Sequence, residues 1–153
     1  MRITILSNVE DMETKESEDI DEIEIYKEIA KVMGNYLVRM EYKPRGMVLK
    51  RYTIDKEQRM AVLFYKYGDE TIRYYMYMNS KDSSLGEKSV DDLIDKYEIT
   101  TNGHNISVKE YAIKNSEQKR YTADFENKDI QYQIKGKLKR EELDEIIKNL
   151  FFM

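Results

Sequence analysis

From Tyr36 to Ile134 the hydrophobic pattern has a period of two, and this feature constrains the fold more than any other. A period of two, rich in Tyr, Met and β-branched residues, is typical of β-strands. Polar segments divide the stretch. Strands are predicted at Val48–Ile54, Met60–Tyr67, Thr71–Met78, Glu98–Thr101, Ile106–Ile113, Arg120–Phe125 and Ile130–Ile134.

Turn-forming residues separate these strands. Pro44 stands two residues before Gly46, and because Pro fixes one φ while Gly accepts a positive φ, a hairpin-like reversal is predicted at Tyr42–Met47. Gly68 and the pair Asn102-Gly103 predict two further tight turns. Strands joined by such short turns predict an antiparallel sheet.

Three segments repeat apolar residues at steps of three and four, which is the spacing of one helical face. The first helix is predicted at Ser17–Met33 with Ser17 as N-cap, and a short middle helix at Ser89–Tyr97 with a Ser-x-x-Asp start. A terminal helix is predicted from Leu138, Leu143, Ile146, Ile147, Leu150 and Phe151. This order predicts the α+β class, with the three helices packed on one face of an antiparallel sheet.

The length of 153 residues predicts a single domain. Residues 1–16 are predicted to be a short strand, Met1–Ser7, followed by a polar linker, so the domain itself spans residues 17–153. Hydrophobic residues make up 41% and charged residues 37%, a mix typical of a soluble globular domain. No apolar run approaches the ~20 residues that cross a bilayer, so a membrane is expected only through a segment absent from this chain.

Composition also argues against several kinds of chemistry. Without Cys the chain has no thiolate zinc site or cysteine nucleophile, and its one histidine, His104, is expected to be a solvent-exposed turn residue. The 26 basic and 30 acidic residues are interspersed and give a net charge of −4, which argues against a nucleic-acid partner. No metal, no cofactor and no catalytic residue is predicted.

The acidic clusters are interpreted as helix starts. Glu18-Asp19-Asp21-Glu22 and Asp91-Asp92-Asp95 lack the alternating ligands of a calcium loop, and each stands where a helix is predicted to begin. The glycines are isolated, so no phosphate-cradling loop is present, and Ser83-Ser84-Leu85-Gly86 lacks the pattern of a nucleophile elbow. Paired carboxylates for glycoside hydrolysis stay open, because 30 acidic residues always bring some pair within reach.

The most unusual segment is the Tyr- and Met-rich strand Tyr74–Met78. Tyr and Met form apolar yet adaptable surfaces of the kind found at ligand grooves and interfaces. Because both alternating faces carry large side chains, this strand is predicted to be covered on both sides or to border a groove. Core packing is the favoured interpretation, since a chain with 13 Tyr and no Trp uses tyrosine as its general bulky residue.

The segment Tyr121–Leu143 resembles a bacterial family catalogued as domain of unknown function 4367. The shared pattern is an aromatic-ending strand, a turn, a Tyr-x-Ile-x-Gly-x-Leu strand and a helix that opens Glu-Glu-Leu. Here it is formed by Phe125, Tyr132, Ile134, Gly136, Leu138 and Glu141–Leu143. The turn at Tyr42–Met47 is similar to the family's Tyr-x-Pro-x-Gly-Tyr turn. Three positions depart from the pattern: Phe125 replaces a common Trp, Met47 a Tyr, and Lys139 a Ser or Thr cap.

The resemblance implies an extracytoplasmic, sensor-like or interaction module at the C-terminus of membrane-anchored proteins of Gram-positive bacteria, often encoded near alternative sigma factors. It implies no known catalytic residue. It further implies a similarity to lipoprotein-carrier folds, in which a curved antiparallel sheet wraps helices. In this interpretation Gly136 lets the chain leave the sheet, and the terminal helix then lies back over the strands. The residues themselves leave a cytoplasmic location open.

Two functions are therefore expected. The first is a non-catalytic extracytoplasmic sensor or interaction module, linked to sigma-factor signalling, whose partner is a protein or an envelope component. The alternative is a carrier-like domain that holds a hydrophobic ligand, a lipid or lipoprotein, in a cavity between sheet and helices. Five residues are predicted to line that ligand or partner face: Leu63, Tyr65, Tyr75, Tyr77 and Phe125. A hydrolase with paired carboxylates is the least favoured class.

Overall fold

The computed structural model describes residues 21–78 and 91–152. The predicted strand Met1–Ser7 and the linker of residues 1–16 lie outside the described residues. In chain order the described elements are α1 (Glu22–Met33), β1 (Val38–Met40), β2 (Met47–Asp55), β3 (Met60–Tyr67), β4 (Glu70–Met78), β5 (Asp92–Thr101), β6 (His104–Ala112), β7 (Lys119–Asn127), β8 (Ile130–Lys137), α2 (Arg140–Lys148) and β9 (Leu150–Phe152). Neither of these helices has the length and apolar run that a membrane span requires.

Seven strands form one antiparallel sheet in the order β2-β3-β4-β8-β7-β6-β5. Two series of hairpins, β2 to β4 and β5 to β8, meet where β4 pairs with β8. A separate ribbon of two strands is formed by β1 and β9. The predicted α+β class with an antiparallel sheet is confirmed.

Alternation along the strands buries one face of the sheet, here called the core face. Leu63 pairs with Tyr74, and Tyr74 with Ile134, and all three side chains are fully buried. The same hydrophobic cluster includes the buried residues of both helices, among them Ile29 of α1 and Ile146 of α2. The opposite side of the sheet is here called the open face.

Tyrosine hydroxyls satisfy the backbone of β1 on the edge that does not pair with β9. The Val38 N–H donates to the Tyr132 hydroxyl at 3.1 Å, and the Tyr74 hydroxyl donates to the Val38 carbonyl at 2.6 Å. The Met40 N–H donates to the Tyr26 hydroxyl at 3.2 Å. Burial raises the pKa of all three tyrosines, so they stay neutral at ordinary pH.

Helix α1 starts later than predicted. Its N-cap is Asp21, whose carboxylate accepts a hydrogen bond from the Ile23 N–H at 3.0 Å, and the predicted cap Ser17 lies outside the described residues. Glu22 then stands in the first turn, where the helix dipole favours negative charge. The helix-start interpretation therefore fits the end of the first acidic cluster.

The predicted turn at Tyr42–Met47 is present, but the strands beside it do not form a hairpin. The Met47 N–H donates to the Pro44 carbonyl at 3.0 Å, and Gly46 has a φ of +92°. However, β1 pairs with β9 rather than with β2. The hairpin was wrong because a turn signal fixes the local chain direction and not the strand partner.

The predicted middle helix at Ser89–Tyr97 is wrong. The strand Asp92–Thr101 occupies most of this segment and pairs with β6 at the edge of the sheet. Leu93, which helped to suggest a helical stripe, is 47% exposed, while Tyr97 and Ile99 pack against the core cluster. A β-bulge directly after Leu93 breaks the period of two, so this short segment imitates a helical pattern.

The terminal helix is shorter than predicted. It ends at Lys148, and Asn149 caps it with backbone bonds to the carbonyls of the last turn. Leu150 and Phe151, expected on the helix, instead belong to β9, in register with β1. The reason is that the two-stranded ribbon gives these apolar residues a backbone partner that a frayed helix end lacks.

Gly136 does not mark an exit from the sheet, because β8 continues to Lys137. It instead allows a close approach: a Cβ at this position would overlap Ile72 Cδ1 and lie 3.2 Å from Ile72 Cα. Glycine is required here by space rather than by backbone conformation.

Replacing Tyr132 by Phe should lower the free energy of unfolding by about 1–3 kcal/mol, because the buried Val38 N–H would lose its partner. Tyr75→Phe is the matched control, since that hydroxyl lies on the open face and has no hydrogen-bond partner among the described residues; its expected effect is below about 0.5 kcal/mol. Urea denaturation followed by circular dichroism measures both. Equal stability of the two variants would contradict a structural role for the Tyr132 hydroxyl.

Gly136→Ala should destabilise the domain by about 1–3 kcal/mol, because the new methyl group overlaps Ile72. Ile72→Val removes the overlapped Cδ1 and alone costs about 0.5–1.5 kcal/mol. In a double-mutant cycle, the combined loss should be smaller than the sum of the single losses. Strictly additive losses, measured by the same urea titrations, would show that this contact does not explain the glycine.

Candidate functional site

The side chains of the open face form rows that cross the sheet from β2 to β5. One row, here called the basic row, is formed by Arg51, Phe64, Arg73, Lys135, Thr122, Lys109 and Lys96. The neighbouring row is formed by Thr53, Val62, Tyr75, Gln133, Asp124, Ser107 and Glu98. None of these residues belongs to the core cluster, to which the buried residues of both described helices contribute.

The five residues predicted to line a ligand cavity lie on two faces of the sheet. Three are buried on the core face: Leu63, Tyr65 and Phe125. Two are half-buried on the open face: Tyr75 and Tyr77. The sheet separates the two groups, so they do not line one cavity.

Two guanidinium groups form cation–π contacts with one aromatic ring on the open face. The Arg51 Cζ lies 3.9 Å from the centroid of the Phe64 ring, and the Arg73 Cζ lies 5.8 Å from it. At these distances each cation is attracted by the ring. Sequence reasoning missed this group because its members come from three strands and only the strand register brings them together.

A shallow recess of about 250 Å³ lies beside the Phe64 ring. Four charged residues line it, all of them basic: Lys50, Arg51, Lys66 and Arg73. Lys135 adds a fifth cation, since it pairs with Arg73 in register on the next strand. These five residues are here called the basic patch. Within the described part of the chain, none of them forms a salt bridge.

A larger cavity, about 700 Å³, opens where α2 begins. Two of its carboxylates are tied to neighbours: Glu142 accepts a hydrogen bond from the Tyr67 hydroxyl, and Glu70 pairs with Lys137 at 3.6 Å. Glu142 also accepts from the Lys139 N–H at 3.0 Å. This is the reciprocal half of a capping box: Glu142 satisfies the N–H of the N-cap residue, while Lys139 has no side-chain acceptor for the other half.

The second acidic cluster does not start a helix, which corrects that interpretation. Asp91 pairs with Arg120, and Asp95 pairs with Arg140 at 3.2 Å. The Arg140 guanidinium also lies 3.9 Å from the centroid of the Tyr97 ring. These carboxylates therefore tie β5 to β7 and to α2.

His104 is not the solvent-exposed turn residue that was expected, because it is half-buried at the start of β6. Its ring stacks on Phe152 with centroids 4.2 Å apart. One ring nitrogen lies 2.9 Å from the Asn102 carbonyl and the other 3.1 Å from the Asn127 side-chain oxygen. Across residues 21–78 and 91–152, no three His, Asp or Glu side chains are grouped as metal ligands would be.

These features define a class of protein: an α+β domain whose antiparallel sheet carries the core cluster on one face and polar and aromatic side chains on the other, where Val62, Thr122 and Gln133 are also buried. The family model for Domain of unknown function (DUF4367) matches residues 37–150, and the chain belongs to this family. The match runs from just before β1 to the first residue of β9 and leaves α1 outside. No curated protein and no solved structure matches the chain.

Replacing Glu142 by Gln should lower the pKa of Tyr67. Donation to this carboxylate, together with partial burial, raises the pKa of Tyr67 to about 12, because a phenolate would face a negative charge. The stability that this pair contributes is present below the ordinary tyrosine pKa of about 10 and is lost as the pH rises through 12.

Titration of the tyrosine Cζ signals by nuclear magnetic resonance measures this pKa, with Tyr67→Phe used to assign the signal. Glu141→Gln, one residue earlier, is the matched control and should leave the Tyr67 titration unchanged. A Tyr67 pKa that responds equally to both substitutions would contradict the assignment.

Proposed function

We propose that this domain is a non-catalytic interaction module that acts outside the cytoplasm as part of a membrane-anchored protein. The observation that supports it is the open face, where Phe64, Tyr75 and Tyr77 are partly exposed on paired strands. Aromatic side chains are enriched at interfaces, and strands hold such side chains more rigidly than loops do.

The partner in this proposal is a protein or a component of the cell envelope, and the role is sensing linked to sigma-factor signalling. The location and the signalling role derive from the family resemblance. The non-catalytic character derives from the family resemblance, and in the large cavity at α2 the carboxylates of Glu70 and Glu142 are engaged by a lysine, a phenol and a backbone amide. Glu142 thus serves the start of α2, and Glu70 links β4 to β8.

The alternative is a carrier that holds a hydrophobic ligand. It derives from the similarity to lipoprotein-carrier folds that the family resemblance implies, and the placement of the five predicted residues on two faces stands against it. Native mass spectrometry of the purified chain separates the two proposals, because a carrier retains a lipid of defined mass and an interaction module does not.

A photo-crosslinker placed on the open face should capture the partner. p-Benzoylphenylalanine introduced at Tyr75 or Tyr77 in the native host cell should give discrete adducts under ultraviolet light, because these rings lie on the proposed surface. The matched control replaces Tyr36, which is 56% exposed in the loop between α1 and β1 and therefore more accessible. Gel electrophoresis and mass spectrometry detect the adducts.

Adducts that form as readily from Tyr36 as from the open face would contradict the proposed surface. Absence of adducts from both open-face positions would contradict it as well, provided that the variants fold like the original chain by circular dichroism.

A further inference from the structure

The basic patch is an uncompensated concentration of charge on a protein of net charge −4. Its five cations come from β2, β3, β4 and β8, and none is neutralised by a described carboxylate. Elsewhere the described residues often pair their charges, as Arg120 does with Asp91 and Lys137 with Glu70. Exposed like charges repel each other, so a cluster of this kind is unfavourable unless an anion binds to it.

Three cations of the patch, Arg51, Arg73 and Lys135, lie in the basic row, and Lys50 and Lys66 lie beside that row. Neighbouring strands lie about 4.8 Å apart, so the basic row extends about 14 Å from Arg51 to Lys135 and about 29 Å as far as Lys96 on β5. The neighbouring row carries Asp124 and Glu98 and no basic residue. Positive charge is therefore confined to one side of the open face.

We propose that the basic patch binds a linear polyanion whose charges are phosphate groups, lying across the strands along the basic row. This inference rests on the proposed role of the open face as the interaction surface, and it specifies the chemistry of the partner. The recess beside Phe64, between Arg51 and Arg73, receives one phosphate. Lys135, next to Arg73 in the row, meets the following charge of the chain.

The contact with Phe64 preorganises the guanidinium groups for phosphate binding. The Arg51 Cζ lies 3.9 Å from the centroid of the Phe64 ring, and a guanidinium that rests flat on a ring keeps the N–H groups at its edge available to donate. Arginine binds phosphate through two such donors at once, and a guanidinium already held against a ring loses less freedom on binding.

Two other polyanions fit the surface less well. A flat anionic membrane would press its phosphates against Asp124 and Glu98 as well as against the basic row. A single-stranded nucleic acid needs an aromatic ring beside its phosphates on which to stack its bases. The ring within the basic row, Phe64, is covered by Arg51 at 3.9 Å, and the rings of Tyr75 and Tyr77 lie in rows with acidic and no basic residues. A polymer of phosphate groups without bases avoids both conflicts.

Isothermal titration of the chain with inorganic polyphosphate, long enough to cross the seven strands, tests the proposal. Saturable binding is expected, with none to orthophosphate at the same phosphate concentration. The double variant Arg51→Gln with Arg73→Gln should weaken binding by about tenfold and reduce the salt dependence of log affinity by about two units. Lys66→Gln with Lys135→Gln is a second pair, in case the first alters folding.

The matched control is Lys27→Gln with Lys31→Gln, which removes the same charge from two lysines of α1 whose side chains are 66% and 74% exposed. Equal weakening by this pair would overturn the site. Tighter binding of phosphatidylglycerol vesicles, or of oligo(dT) with the same number of phosphates, would overturn the choice of partner.

The proposed function and this inference fail in different ways. Crosslinks from Tyr75 together with polyphosphate binding that ignores Arg51 and Arg73 would refute the polyanion and leave the interaction surface intact. Absence of both crosslinks and polyphosphate binding would refute the two together.

Discussion

Three tyrosine hydroxyls form hydrogen bonds to the edge of β1 that does not pair with β9. The relative positions of helix α1, the two-stranded ribbon and the sheet depend on these bonds. A strand of three residues that pairs only with β9 leaves backbone groups of Val38 and Met40 buried without a strand partner. Each such group costs about 1–3 kcal/mol if it stays unsatisfied. The Tyr26 hydroxyl reaches this edge of β1 from α1, and the Tyr74 and Tyr132 hydroxyls reach it from the sheet. One short strand edge therefore joins helix, ribbon and sheet.

The core face is filled by these tyrosines and their neighbours. The side chains that can change without disturbing the core are therefore those of the open face. Tyr132 stacks against Tyr74 and Phe125, with ring centroids 5.9 Å and 4.9 Å apart. A ligand that entered between these rings would separate hydroxyls from the backbone that they satisfy. Changes at open-face positions such as Tyr75 leave no described buried polar group without its partner, so we expect them to cost little stability.

Much of the fold could be predicted from the sequence, because most strand partners are neighbours along the chain. The turn at Gly68 fixes the pairing of β3 with β4 through local geometry alone. Two features depend on distant or ambiguous signals and were missed. The partner of β1 lies at the other end of the chain, and the bulge after Leu93 gives a strand the spacing of a helix.

The proposed binding surface was harder to predict, because it is defined by which side chains share a face. Alternation alone places Tyr74 and Tyr75 on opposite faces, but the pairing of Leu63 with Tyr74 decides which of them enters the core. Charge follows the same logic: the sum over the chain is −4, yet the register places Arg51, Arg73 and Lys135 on one row and Asp124 on the next. Net charge describes the field felt beyond a Debye length of about 8–10 Å, whereas a ligand in contact with a single row meets only the charges of that row. The argument from net charge against anionic partners therefore applies to long-range attraction and leaves binding along the basic row open.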